Sequence, residues 1–395
     1  MNKPNLKTVR IVATFLLVAL VASLITYQWA TASFQGPLES LPFYVGAPQP
    51  YSYIIETNGT HYFSYNGTTG QIDFLSTNAS KVFQFAIDNS TIGGKVFARA
   101  ATYNMSVTLC IAVKYVVLEG EGKGTILYAD DGLNGNVINM TGSGKWHQEI
   151  KNLQIEGNKA NQASGHGIYI SHTYATTDSN VLIENVWIRN PKESGVYIAD
   201  GTGSRETRLF NVLVSFAGGT SFRIGGVDNK ILYCVSENSV GHGFAIYGSA
   251  QLTACKAFGS GTGSSAKHGF YIYDCNYGQV ILTTCWAQDG IDAGFTVWSS
   301  NFVQLIGCTA DSNQAEGFRL DAGSAGETDC VILSGCSSFT RSGGLYTQTY
   351  GIRLKTNTTR CIVTGCYGNG STAGISDVGT SNEVHISFNG TTYVP

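Results

Sequence analysis

This chain is short of charge. Asp, Glu, Lys and Arg make up 13% of its 395 residues, about half of the ~25% usual in soluble domains. It also lacks a basic excess. A formal net charge of −3 excludes the positive footprint of a nucleic-acid binder. Between residues 165 and 374 no apolar stripe reaches helix length, so that stretch is built of strands. Glycine, by contrast, is plentiful: 48 residues, about 12% against a usual ~7%. It suits tight corners between strands, where φ turns positive or backbones crowd together.

One phrase recurs through that stretch: Gly, then Ile, Val or Phe, a variable residue, then Ile, Leu or Val. It begins at Gly167, Gly195, Gly243, Gly269, Gly294, Gly317 and Gly351, and Ser221-Phe222-Arg223-Ile224 fills the one interval that lacks Gly. The steps are 28, 26, 22, 26, 25, 23 and 34 residues. Between the phrases runs an apolar strand ending on Asn or Cys, as in Val181–Asn185, Val280–Cys285, Val303–Cys308, Val331–Cys336 and Cys361–Cys366. A period of this length marks a solenoid. Two or more short strands per ~25-residue coil predict a parallel β-helix, each coil lying about 4.8 Å above the last. The register requires Tyr271 and Trp298 on one face and Cys285 beside Cys308.

Residues 1–32 read as a targeting segment. Lys3, Lys7 and Arg10 precede the uncharged run Ile11–Ile25, and Ala30-Thr31-Ala32 fits signal-peptidase cleavage. A membrane anchor through residues 11–30 is the competing reading, with Trp29 at the interface. Either way the rest is expected outside the cell, secreted or anchored by that one segment. Removing 1–32 takes away three basic residues, leaving 21 against 27 acidic, a net −6. Nine Asn-x-Ser/Thr sequons (Asn58, Asn66, Asn78, Asn89, Asn104, Asn139, Asn357, Asn369 and Asn389) agree with export and glycosylation, although turns rich in Asn, Ser and Thr also generate sequons by chance.

Residues 33–77 read as a spacer, proline-rich from Gln35 to Pro50, and a small β-module with turns at Asn58-Gly59 and Asn66-Gly67. The β-helix is then expected over 78–390. It opens with a short helix from Asn78 to Asp88 that presents Val82, Phe85 and Ala86 and hides the first coil's edge. Gly120–Thr125 has the glycines of a phosphate loop but no Gly-Lys-Ser/Thr ending, and is read as a turn.

Phe83–Asp88, Gly93–Phe97, Ala101–Tyr103 and Leu118–Leu127 resemble the opening of the pectate-lyase-like superfamily of right-handed parallel β-helices. The resemblance spans about residues 78–380. It implies the fold and leaves the chemistry open among lyases, hydrolases, epimerases, tailspikes and non-catalytic surface proteins. Ala98–Ala101 and Thr77-Asn78 depart from the superfamily's usual cap and first corner. Tailspike-like relatives are commonly trimeric, so a homo-oligomer is compatible with it.

Cys234, Cys255, Cys285, Cys308, Cys336 and Cys366 share one coil position, with Asn152, Asn185 and Asn211 expected at the same place in earlier coils. Such a ladder predicts buried packing thiols. Neighbour disulfides (Cys234 with Cys255, for example) and metal binding are the alternatives.

Strand alternation sorts the outward residues of the glycine phrase. The upper coils give an aromatic strip, Tyr169, Tyr197, Arg223, Tyr247, Tyr271, Tyr273 and Trp298. The lower coils give Arg319, Asp321, Arg353 and Lys355. Aromatic faces suit sugar rings and Arg or Lys suits uronate carboxylates, so the expected partner is a polysaccharide or other glycan. Simple cladding of the sheet is the bland alternative. If the chain is an enzyme, Asp321, Arg319, Arg353 and Lys355 are the catalytic candidates, for a polysaccharide lyase before a glycoside hydrolase, with Glu316 or Asp292 approaching from the corner. No cofactor is expected, save Ca²⁺ if the chemistry is a lyase's, and no triple-Asp cluster marks a site for it. Gly165-His166-Gly167 and Gly241-His242-Gly243 resemble the polygalacturonase Gly-His-Gly. The Asn-x-Asp and Asp-Asp motifs that should precede it are missing, so His166, His242 and His268 read as corner packing. A non-catalytic, adhesin-like glycoprotein remains the other reading of the whole chain.

Overall fold

The computed structural model describes residues 50–395, apart from 144–146, 174–178, 201–203, 264–266, 277, 324–325, 386, 390–391 and 395. The segment 1–32 and most of the spacer lie outside the described residues. Among those described, no helix is long and apolar enough to cross a membrane.

The chain is a parallel β-solenoid. The glycine-phrase strands form an eleven-stranded sheet that follows chain order from Leu109–Ile111 to Ala373–Asp377. The second phrase supplies a larger sheet, in which most coils contribute two short strands separated by a bend. Stacking is in register: Tyr273 pairs with Trp298, and Trp298 with Asp321.

Inward residues form continuous columns. One runs Ile150, Ile183, Leu209, Ile231, Leu252, Leu282, Leu305, Leu333 and Val363. Another stacks Phe222, Phe244, Phe270, Phe295 and Phe318 with centroids 4.5–4.8 Å apart and ring planes within 8°. On the second strand of the larger sheet the corresponding column falls from Ile188 and Val214 to Ser236, Ala257, Ala287, Ala310 and Ser338. Small residues thus appear in the coils that carry rings, which keeps the core volume filled.

The same columns explain the recurring glycine. None of the phrase glycines has positive φ. A Cβ at Gly167 would stand 2.7 Å from Ile188, one at Gly243 2.7 Å from Ala257, and one at Gly269 2.8 Å from Ala287. Close approach of two coil walls, not turn geometry, excludes a side chain there.

In the coils positive φ falls mostly at the corners. At the bend of the larger sheet it falls on Asn152, Asn185, Asn211, Tyr233, Ala254, Thr284, Gly307, Gly335 and Gly365. This corrects the expected Asn–Cys equivalence by one residue. The asparagines hold the bend and bond to one another, Asn185 donating to Asn152 at 3.1 Å and Asn211 to Asn185 at 2.8 Å. The cysteines follow the bend and extend a column begun by Leu153, Val186 and Val212. All ten cysteines are free thiols. In the column each thiol donates back into the wall, Cys308 to the Leu282 carbonyl at 3.5 Å and Cys336 to that of Leu305 at 3.2 Å. Burial pushes the Cys275 thiol up to about 12.

The helix spans Ala79–Asn89, and the Asn78 side chain accepts from the Lys81 amide at 3.1 Å. Phe83, not Phe85, is the fully buried ring; Phe85 stacks on Phe74 at 4.7 Å. The β-module is antiparallel through Tyr53–Thr57, Tyr62–Asn66 and Ile72–Ser76. Its first strand also pairs in parallel with Lys95–Ala98, so it supplies the lowest rung of the stack. Gly120–Thr125 is a turn between two strands.

Candidate functional site

The eleven-stranded sheet presents the expected strip on one outer face. Tyr169 pairs with Tyr197, Tyr197 with Arg223, Arg223 with Ala245, Ala245 with Tyr271 and Tyr271 with Thr296. The rings are half-buried against one another. Tyr169 and Tyr197 lie 5.2 Å apart, and Tyr247 meets Tyr273 edge-on at 5.9 Å. Arg223 sits 4.5 Å from the Tyr197 ring and 5.0 Å from Tyr247, with Asp200 accepting at 3.2 Å. Ala245 and Thr296 point the same way but are fully buried between larger register neighbours. Burial raises the phenol of Tyr271 well above its ordinary value.

Toward the strand starts, the strip rests on the histidine corner. His242 stacks on Tyr271 with centroids 4.6 Å apart and lies 5.3 Å from His268. Burial first, then the charges nearby, depress both imidazoles to about 3. Asp292 approaches His268 within 3.7 Å. Asp292 is already held by Arg319, whose charge opposes protonation of the ring, so His268 stays neutral. His242 and His268 therefore pack at the corner, whereas His166, the third, meets Glu193 at 3.2 Å.

The four charged candidates fall into two groups: Arg319 and Arg353 meet the acids anticipated at the corner, and Lys355 meets Asp321. Arg319 donates to Asp292 at 2.6 Å and from its Nε to Glu316 at 2.9 Å. Arg353 reaches Glu316 at 3.2 Å, and Lys355 meets Asp321 at 2.8 Å. Glu316 and Asp321 are buried, at 3% and 8% exposure. Burial works against the charged form of Arg319, yet Glu316 and Asp292 hold its pKa above the ordinary guanidinium value. The expected open row of charges is two sets of ion pairs in which each cation already has a carboxylate. Among the described residues no three His, Cys, Asp or Glu side chains converge as a metal site.

The sequence did not anticipate what lies at the strand ends. There the strip opens into a cleft of about 700 Å³, lined among others by Tyr273, Asp274, Trp298, Asn301, Glu327 and Asp329. Trp298, expected to be exposed, is half-buried as one wall, and a Cβ at Gly323 would come 3.8 Å from its ring. Asp274 accepts from the Tyr273 phenol and raises its pKa. Asp329 is held by Arg360 and by Thr359, the latter at 3.0 Å. Asp274 was legible as the residue just past a phrase. Asn301, Glu327 and Asp329 come from corners of irregular length that carry no period.

No protein-family model matches the chain, and no curated protein does. Solved structures do. The A-module of mannuronan C-5 epimerase AlgE4 from Azotobacter vinelandii aligns over 79% of this chain and 92% of its own, at 16% identity and a TM-score of 0.56. The AlgE6 A-module of the same organism gives 79% and 95%, 15% identity and 0.55. The enzymatically active domain of bacteriophage CBA120 tailspike protein 2 gives 75% and 49%, 13% identity and 0.57. At these identities the likeness speaks for architecture alone: the chain has a right-handed parallel β-helix fold.

Proposed function

We propose that this chain binds a polysaccharide along the strip from Tyr169 to Trp298 and seats one sugar in the cleft beside Trp298. One observation carries this reading: a column of half-buried aromatic rings on a single face ends at an open, polar-lined cleft with an indole wall. Stacked rings offer apolar faces to pyranose C–H groups while phenols and carboxylates meet the hydroxyls. Structural neighbours named for mannuronan and for an enzymatically active tailspike domain support a glycan partner. The basic, apolar segment before residue 33 supports a place of work outside the cell.

Replacing Trp298 with Ala tests the binding. Loss of one aromatic platform should weaken retention in polysaccharide-containing gels about tenfold, with the circular dichroism spectrum unchanged. Unaltered retention removes the cleft from the binding surface.

A second reading adds catalysis. Asp321 lies beside the cleft wall Trp298 in register and pairs with Lys355, with Arg319 and Arg353 further along the same strands, and a lyase or hydrolase would draw on them. Against it, Lys355 and the two arginines are committed to carboxylates, which suits a non-catalytic surface protein. Incubation with polymers separates the two: unsaturated or reducing ends that vanish in Lys355→Ala establish an enzyme, and retention without products establishes a binder.

A further inference from the structure

We infer that the glycan held on this face is uncharged and that polyuronates are excluded. The inference rests on the polysaccharide-binding reading above and concerns which polymers the same surface accepts.

A polyuronate carries one carboxylate per sugar, and each must find a cation or remain in water. The strip contains four cations, Arg223, Arg319, Arg353 and Lys355, and every one already meets a carboxylate, from Asp200, Asp292, Glu316 or Asp321. Glu316 is shared between Arg319 and Arg353, so withdrawing either arginine toward a ligand would leave a buried carboxylate short of a partner. Arg223 is further pinned between the rings of Tyr197 and Tyr247. For Arg319, Arg353 and Lys355, surrendering a buried partner costs more than an exposed ligand carboxylate returns, whereas Arg223 and Asp200 form an exposed pair that the two rings hold in place.

The cleft strengthens the argument. No lysine or arginine is among its lining residues. Asp274 and Glu327 line it as exposed acids with no cation paired to either among the described residues. Lys267, which no carboxylate pairs among the described residues, stands at the histidine corner, where the strands begin. The cleft is where they end. Two like charges therefore face any uronate entering beside Trp298, whereas the same carboxylates accept hydrogen bonds from neutral sugar hydroxyls.

Affinity electrophoresis of the full chain in mild detergent, at low and high salt, tests this. The gels would carry a β-glucan, a galactomannan, polygalacturonate or alginate. The expected result is retardation by a neutral polymer that NaCl leaves within twofold, and no retardation by polygalacturonate or alginate. The double variant Asp274→Asn/Glu327→Gln should gain measurable retention by polygalacturonate, and no gain overturns the inference. Wild-type retardation by a polyuronate that fades steeply with salt overturns the inference and leaves polysaccharide binding standing. Retardation by none of the four polymers overturns the binding reading and this inference together.

Discussion

Glu316 decides whether the charged quartet is scaffolding or machinery. It is 3% exposed and accepts from the Arg319 Nε at 2.9 Å and from Arg353 at 3.2 Å. Breaking a buried ion pair by removing one partner costs about 3–5 kcal/mol, because the remaining charge stays desolvated. Here the loss is softened: Arg319 keeps Asp292 at 2.6 Å, and the Arg353 side chain, 32% exposed, can turn to water. Glu316→Gln preserves shape and one acceptor, so about 2 kcal/mol is expected. Arg353→Ala, removing a partly solvated partner, should cost about 1 kcal/mol or less. Coils contact only their neighbours, so the effect should stay local. Native-state hydrogen exchange over Glu316–Asp321 reads it directly. About 2 kcal/mol corresponds to exchange roughly 30-fold faster in that strand, with the coil at Ile168–Thr173 unchanged. Exchange within twofold of wild type for Glu316→Gln would refute the clamp and free this carboxylate for a role toward substrate.

The phenylalanine stack makes a second test. Phe270 has a stacked ring on each side at 4.8 Å, whereas Phe222 has one at 4.5 Å. Each Phe→Ala should cost about 3–5 kcal/mol, with Phe270 the worse by about 0.5–1.5 kcal/mol in equilibrium denaturation; equal losses would mean that stacking adds nothing to burial. The corner histidines set a pH dependence. His242 and His268 are held at about 3 in the fold against an ordinary ~6.5, so the unfolded chain takes up protons first as pH falls. Stability should be full above about 6.5 and decline toward 3, at up to ~1.4 kcal/mol per pH unit per histidine. Denaturation midpoints at several pH values, with a shallower slope in His268→Gln, check this; an unchanged slope refutes it. Thr284 holds φ 50° at an exposed bend where Gly307, Gly335 and Gly365 serve in later coils. Thr284→Gly should leave the midpoint unchanged or raise stability by up to ~1 kcal/mol, and a clear loss would show that its side chain, not its backbone, matters there.

Much of this architecture was legible because a solenoid repeats its physics. Gly167, Gly195, Gly243 and Gly269 recur because two walls close to contact at the same place in every coil, and the rows of Phe, Leu and Cys recur because each inward position stacks on itself. The same alternation correctly put Tyr169 through Lys355 on one outer face. It slipped by one residue at the Asn–Cys bend, where both types end similar phrases and only φ distinguishes the bend residue from the column residue behind it.

What periodicity could not supply was partnership. The chain placed Glu316 and Asp292 near the charged rows and stacked Asp321 on Lys355, but it did not say that Arg319 would be spent on both corner acids, because that reach depends on the corner's path. Nor could it say that Glu327 and Asp329 would meet Tyr273 and Trp298 at one cleft. Sequence fixes what repeats, because stacking imposes it coil by coil. The corners depart from the period, and only their folded course determines which charges are neutralised and which are left facing a ligand.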